Sequence, residues 1–267
     1  MHDDRPSLTM HSSSLSLRTL TLGLPLAVCA TAGAHISYTN RNFGSFSGGE
    51  APVSIVNRSV PGLYSWASGT DANYGWSELV RAYRFNLTYN ASVSIDVSAT
   101  TNNGALLGDL FPAFSLYSGL AHTTAGQLDH DEAPVSVAWR GPGFDPPTGG
   151  NFRALGDWKV GNDAGLTEAD LSSFTYIGHA ADGTAANYGA AAGINGDGLA
   201  NGRVVATFNL GPGDYTIFVG GANLGAQAAD DRTLRGVDMT LTVVPEPAAA
   251  GLLLSGITGL LLRRRRR

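Results

Sequence analysis

The chain has 267 residues, 43% of them hydrophobic and 15% charged, which is enough to bury one large or two small cores and argues against a disordered chain. The formal net charge is −5, but seven of the 17 basic and two of the 22 acidic residues lie at the two ends. The residues between them therefore carry about −10, which disfavours a nucleic-acid partner. The 35 glycines against 3 methionines favour short strands joined by turns, and we expect an all-β body.

Residues 1–34 have the pattern of a secretory signal peptide. Arg5 and Arg18 precede the apolar run LTLGLPLAVCATAGA, which ends in Ala32-Gly33-Ala34. We therefore expect a signal-peptide helix, export through the Sec translocon and cleavage after Ala34, with Ala32 and Ala34 as the small residues of the cleavage site. A buried helix or an uncleaved anchor is the alternative, and Pro25 within the run weakens both.

Cys29, the only cysteine, lies inside this leader. The mature chain would therefore have no disulfide, thiolate nucleophile or cysteine-based zinc site. The stretch LAVC, which ends at Cys29, also resembles a bacterial lipoprotein box in which this cysteine would be lipidated. Val28 departs from that pattern, because a small residue is usual at its position.

Residues 35–243 are predicted to form one antiparallel β-sandwich. Apolar and polar residues alternate in YRFNLTYNASVSIDVSA, RVVATFNL, GPGDYTIFVGG and VDMTLTVV, and the break at Tyr89-Asn90-Ala91 indicates a hairpin. A short helix is expected to start at Thr167. Four more strand segments bring the total to about nine: Val53–Val56, Ala113–Tyr117, Val135–Trp139 and Phe174–Ile177.

Two segments rich in Gly, Ala, Asn and Asp interrupt these strands, at residues 141–165 and 179–202. Loops of this length are either functional or mobile. The spacing of the strands and the Gly-Asp-Tyr turn at 213–215 also loosely resemble the jelly-roll sandwiches of pre-peptidase C-terminal-like domains. That resemblance implies a jelly-roll-like, noncatalytic accessory fold and names no ligand.

The body contains no sequence pattern typical of a catalytic site. G-x-S-x-G, H-E-x-x-H and P-loop motifs are absent, and His35, His122, His130 and His179 do not have metal-ligand spacing. A carboxylate pair for glycoside hydrolysis remains open, since such pairs come from distant strands. Calcium is the ion that the loop carboxylates suit best, although no calcium motif is matched, and the candidate ligands are Asp129, Asp131, Asp163 and Asp197.

Four tryptophans, Trp66, Trp76, Trp139 and Trp158, could stack on sugar rings if they were exposed. Core packing is the more usual role of tryptophan. Trp158, between the charged residues Asp157 and Lys159, is the best candidate for exposure. An exported hydrolase and a carbohydrate- or calcium-binding module therefore both remain alternatives to a noncatalytic protein.

Residues 244–267 form the most specific feature of the sequence. The uncharged run Ala248–Leu262 spans about 22 Å as a helix, short of the ~30 Å hydrocarbon core, and is followed by Arg263, Arg264, Arg265, Arg266 and Arg267. The arginines would hold this end in the cytoplasm and leave the body outside. A plain tail anchor, a surface amphipathic helix and a basic arm are the alternatives.

The order Val244-Pro245-Glu246-Pro247, short apolar helix and arginine cluster closely resembles the PEP-CTERM sorting signal of Gram-negative bacteria. The resemblance implies recognition by an exosortase, transient anchoring in the inner membrane and processing near the PEP motif. It also implies delivery to the envelope or extracellular matrix, where exopolysaccharide is the expected neighbour. Independently of the family, Pro245 and Pro247 keep this stretch extended and accessible to a protease.

Overall fold

A computed structural model of the chain describes residues 36–67, 74–77, 79–122, 151–161, 167, 169, 171–188, 193–225 and 232–246. These residues contain a 3-10 turn at Ala185–Asn187 and strands with the following bounds: β1 (Asn42–Phe46), β2 (Val53–Pro61), β3 (Gly75–Trp76), β4 (Arg81–Leu87), β5 (Ala91–Thr100), β6 (Pro112–Ser118), β7 (Asn151–Phe152), β8 (Trp158–Val160), β9 (Ser172–Ala181), β10 (Arg203–Leu210), β11 (Gly213–Gly221) and β12 (Leu234–Pro245).

The strands form two main sheets that pack face to face. The six-stranded sheet has the order β1-β4-β11-β6-β9-β8 and the four-stranded sheet the order β10-β5-β12-β2, while β3 and β7 form a small separate ladder. Of the strand pairs, only β1 and β4 run parallel within the described residues. The predicted all-β antiparallel sandwich is therefore confirmed.

The core between the sheets follows the predicted alternation of side chains. Phe85 and Leu87 of β4 face Ile95 of β5 and Leu241 and Val243 of β12 in one buried cluster. The intervening residues lie on the other face of each sheet, as expected for strands with a side-chain period of two. On the four-stranded sheet that other face is polar, because the strands place Ser, Thr, Asp and Asn there.

The prediction of a hairpin at Tyr89-Asn90-Ala91 is wrong. The ladder partners of β4 are β1 and β11, whereas those of β5 are β10 and β12, so the chain crosses from one sheet to the other at this point. The segment is a corner of the sandwich. Local alternation does not separate the two cases, because a hairpin and a corner both direct the apolar side chains of their two strands toward one core.

A second core covers the outer face of the six-stranded sheet. It contains aromatic side chains from the sheet and from the segments that lie over it, among them Tyr38, Trp66, Tyr117, Trp158 and Phe218. The six-stranded sheet is therefore buried on both faces. This explains why β6 has a nearly continuous buried run from Pro112 to Tyr117 in place of an alternating pattern.

The two predicted long loops contain strands. β7 and β8 lie within residues 141–165, and β9 continues to Ala181, past the start of the second predicted loop. β2 extends beyond the predicted Val53–Val56 to Pro61, and β1 was not predicted at all. These strands pair with neighbours distant in sequence, so tertiary contacts favour them where local composition does not.

Several other predictions fall outside the described residues: the strand at Val135–Trp139, most of the helix expected from Thr167, and both terminal helices. In the parts of the chain that are described, no helix has the length and apolar character needed to cross a membrane.

Candidate functional site

The first residues of the predicted sorting motif are the end of β12. Val244 lies opposite Ser92 and Pro245 opposite Ala91 in the ladder with β5, and the Glu246 N–H donates to the Asn90 carbonyl oxygen at 3.0 Å. Val244, Pro245 and Glu246 are exposed. The motif is therefore extended, and it begins where the sandwich ends with no intervening linker.

This segment pairs with β5 on one side only. On the opposite side β12 pairs with β2, but the last pair is Leu241 with Val53, so Val244 and Pro245 have no ladder partner there among the described residues. Pro245 fits at the end of the strand because it has no N–H to contribute to a ladder. The remaining residues that the sequence singled out for sorting and cleavage lie outside the described part of the chain: Pro247, Arg263, Arg264, Arg265, Arg266, Arg267, Ala32 and Ala34.

Of the four calcium candidates, the structure describes Asp197, whereas Asp129, Asp131 and Asp163 lie outside it. The Asp197 carboxylate accepts the Leu199 N–H at 2.9 Å and the Gly183 N–H at 3.3 Å. These bonds hold the loop between β9 and β10 in shape. In the described residues, no group of three or more His, Cys, Asp or Glu side chains is placed to hold a metal ion.

The carboxylate of Asp182 organises the same loop from inside the protein. It is fully buried and accepts N–H bonds from Asn201 at 3.0 Å and Gly202 at 2.7 Å. Burial raises the pKa of Asp182 above its ordinary value, and the two backbone donors act in the opposite direction. The sequence analysis did not single out this residue, because nothing local distinguishes it from a solvated loop aspartate.

Trp158 is not the exposed sugar-stacking residue that the sequence suggested. It is fully buried on β8, its ring stacks on Phe174 at 5.2 Å, and it meets Phe218 edge to face at 5.0 Å. Successive side chains of an extended segment point to opposite faces. Asp157 and Lys159, on either side of Trp158, therefore point away from the core, and they are exposed and half-buried respectively. Trp66 is also fully buried, as core packing predicts, and Trp139 lies outside the described residues.

His179 is half-buried and lies beside the second core, where its ring is 5.4 Å from that of Trp66. Its Nε2 accepts the Asn195 N–H at 2.8 Å, so in the neutral ring Nδ1 carries the proton and donates to the Tyr176 hydroxyl. Burial lowers the pKa of His179 to about 4. The imidazole is therefore neutral at pH 7 and locked as one tautomer.

A β-bulge places Tyr176 and His179 on the same side of β9. Leu116 of β6 pairs with Gly178, but Tyr117 pairs with Tyr176, so Ile177 is the extra residue. In a regular strand, residues three apart point to opposite faces. The sequence analysis missed this pair because the bulge depends on the pairing with β6 and leaves no local trace.

Trp66 is held by a chain of hydrogen bonds. Its indole N–H donates to the Ser115 hydroxyl at 2.7 Å, and Ser115 donates to the Ala154 carbonyl oxygen at 2.6 Å. The Ser115 hydroxyl thus bonds to the indole and to a backbone carbonyl and not to His179. The other described histidine, His122, is exposed. The arrangement is a satisfied polar network within a core, and it contains no nucleophile paired with a base.

No family model matches the sequence, and no curated protein matches it. Among solved structures, the chain is similar to CorA of Methylomicrobium album BG8, described as a surface-associated copper-binding protein, with a TM-score of 0.50 and 15% identity over 78% of this chain and 98% of that chain. It is also similar to the secreted protein MopE of Methylococcus capsulatus, in which an oxidized tryptophan is said to facilitate copper binding, with a TM-score of 0.41 and 16% identity over 77% of this chain and 87% of that chain. At this level of identity, the similarity to CorA is one of fold.

Proposed function

We propose that this chain is an exported, noncatalytic protein of the cell surface or extracellular matrix, sorted and processed by an exosortase. The observation that carries the proposal is the tail: the motif Val244-Pro245-Glu246-Pro247 is followed by an apolar run and five arginines. The end of β12 supports it, because Val244 to Glu246 are extended and exposed and bond to the body only on the β5 side among the described residues. A protease needs a segment of this kind.

Association with exopolysaccharide is the finer part of the proposal. The outer face of the four-stranded sheet supports it, because the paired strands bring short hydroxyl side chains into rows. Ser94 lies between Thr207 and Thr242, and Asp96 lies between Val205 and Thr240. Such a face suits a hydrated, hydroxyl-rich polymer better than an apolar partner.

A noncatalytic role is supported by the polar groups inside the described body. His179 has both ring nitrogens occupied by hydrogen bonds, and Ser115 is bonded to Trp66 and Ala154. Neither group is available to act as a nucleophile or a general base. An assay on polymer extracted from the host tests the hydrolase alternative, and turnover that is lost on mutating a carboxylate pair would establish it.

Mass spectrometry of the protein isolated from its native host tests the sorting proposal. We expect a mature protein that begins at His35 and lacks the arginines from Arg263 onward. Glu246→Gln should leave the unprocessed form in the membrane, whereas Glu50→Gln, a change of the same type at a distant turn, should be processed normally. An intact arginine tail on membrane-bound wild-type protein would show a plain anchor and reject the proposal.

Copper binding is a second candidate, suggested by the printed description of CorA. The unprotonated Nε2 of the neutral His179 ring is the nitrogen that a metal would bind, and binding there would have to displace the Asn195 N–H that Nε2 accepts. Isothermal titration of the full chain with copper should show binding that His179→Gln removes and the matched change His122→Gln leaves intact. Unchanged binding in His179→Gln excludes that residue as a ligand, and a calcium titration of the same sample tests the calcium candidates.

A further inference from the structure

Three arginines, Arg41, Arg58 and Arg81, lie near one edge of the sandwich, where β1 of one sheet is in contact with β2 of the other. Arg41, directly before β1, is half-buried. Its Nε donates to the Ala82 carbonyl oxygen at 3.0 Å and its Nη2 to the Ser37 carbonyl oxygen at 2.8 Å. These two bonds fix the guanidinium against the start of β4 and leave its other N–H groups available.

Arg58 points into the space between the sheets because β2 contains a bulge. Arg58 pairs with Val237 and Ile55 with Met239, so Val56 and Asn57 together oppose one residue of β12. Val237 is buried in the core between the sheets, so its neighbour Arg58 shares that inward direction. Without the extra residue, the side-chain period of two would turn Arg58 to the outer face.

The bulge is anchored by the backbone of Asn57, which has a φ of 58°. Its N–H donates to the Asp238 carboxylate at 2.7 Å. Asn is one of the residues that tolerate this conformation. Bulges often re-aim a side chain at a functional site, and here the re-aimed side chain is Arg58, whose Nε is buried and has no hydrogen-bond partner.

Tyr83 of β4 supplies a second unpartnered donor. The residue is fully buried, its ring packs against Phe43 at 6.2 Å, and its hydroxyl has no hydrogen-bond partner among the described residues. Phe43 and Val60, which follow Arg41 and Arg58 by two residues, lie in one buried cluster with Tyr83, and the Tyr83 hydroxyl is within electrostatic range of Arg41, Arg58 and Arg81. Burial raises the pKa of Tyr83 to about 12, so the hydroxyl keeps its proton and remains a donor.

The charge at this edge is positive although the body as a whole is acidic. The pKa of Arg41 is lowered by burial and, in part, by the charge of Arg58. The ion pairs found in the described residues are Arg203–Asp96 and Arg235–Asp109, and neither involves Arg41 or Arg58. Asp238 is the carboxylate that acts on Tyr83, and one of its oxygens is occupied by Asn57.

We propose that Arg41, Arg58 and Tyr83 form a binding site for one oxyanion group. All three side chains are donors, two of them carry a positive charge, and two of them have a buried donor without a partner. A carboxylate, sulfate or phosphate supplies what the site lacks, namely several acceptor lone pairs and a negative charge. Arg81, which has hydrogen bonds of its own, adds to the positive potential.

The oxyanion group could come from either of two sources: a free inorganic anion or the acidic groups of a polymer. A uronic-acid carboxylate belongs to the second source, and its assignment rests on the proposed association with exopolysaccharide. The site itself rests only on the geometry of the edge. Mass spectrometry of the tail tests the proposed function, and isothermal titration tests anion binding. Either proposal can therefore fail without the other.

Isothermal titration of the full chain in detergent, at constant ionic strength, tests the site. The probes are sodium sulfate, a uronic-acid tetrasaccharide and maltotetraose as the neutral oligosaccharide. We expect saturable binding of an acidic probe and none of maltotetraose. Tyr83→Phe and Arg58→Gln should each weaken binding at least about tenfold, because each removes a donor to a charged group.

Lys159→Gln is the matched control, since it removes an equal charge from β8, at the opposite edge of the six-stranded sheet from β1, and should leave binding unchanged. Tyr83→Phe keeps the ring in the core and removes a hydroxyl that has no partner, so its melting temperature should equal or exceed that of wild type. Binding of sulfate without the uronic-acid probe supports the site and assigns it to a free anion. The absence of saturable anion binding, or equal affinity in Tyr83→Phe and wild type, overturns the proposal.

Discussion

His179 shows how one half-buried ring makes stability depend on pH. In the folded protein its pKa is about 4, against an ordinary value of 6.5, because burial penalises the charged ring. The unfolded chain therefore binds more protons than the folded one between these two values, and stability falls as the pH decreases through that window. Above pH 6.5 the contribution is fully retained.

We predict that lowering the pH from 7 to 5 reduces the free energy of unfolding by about 1 kcal/mol through this residue, since solvent around the half-buried ring reduces the effect of the shift. His179→Gln should remove that part of the pH dependence, because an amide stays neutral over the range. Denaturant midpoints measured at the two pH values give the difference. His122→Gln, at an exposed site, serves as the control. Equal pH dependence in His179→Gln and wild type would contradict the assignment.

Trp158 shows at the residue scale why the sequence misjudged exposure. Its charged neighbours Asp157 and Lys159 suggested a solvated loop, but in an extended segment adjacent residues point to opposite sides. The decisive information was the presence of a second core on the outer face of the six-stranded sheet. That core is formed by segments that are distant along the chain, so no local sequence pattern predicts it.

At the scale of the elements, the sequence predicts the strands better than their connections. The strands with a clean period of two, such as β5, β10 and β12, lie where alternation placed them. Each belongs to the four-stranded sheet, which has one buried and one polar face. β6, in the sheet that is covered on both sides, lacks that alternation because it is buried from Pro112 to Tyr117.

The candidate sites also differ in how far the sequence alone predicts them. The sorting motif was readable because its residues are consecutive. The oxyanion site was not, since Arg41, Arg58 and Tyr83 come from three segments and Arg58 points inward only because of a bulge in β2. Pairing between strands determines where a bulge forms, so a sequence without its partners does not specify it.

At the scale of the whole molecule, the body and the tail meet within one strand. β12 lies between β5 and β2 in the four-stranded sheet, and its buried residues join the core between the two sheets. The same strand continues into Val244 and Pro245, which pair only with β5. Among the described residues, the strands of the two sheets therefore end at about the point where the proposed processing would release the body.

We predict that a chain ending at Glu246 is as stable as the full chain, because the bond from the Glu246 N–H to Asn90 is the last backbone bond of the sandwich in the part of the chain that the structure describes. A chain ending at Leu241 should lose about 3 kcal/mol or more, since it lacks the buried Val243 and the final ladder bonds with β5. Urea unfolding of the three chains gives the free energies. Equal stability of the Leu241 and Glu246 chains would show that the end of β12 does not contribute to the fold. A large loss on ending at Glu246 would show that the body depends on its tail, which is incompatible with release by processing.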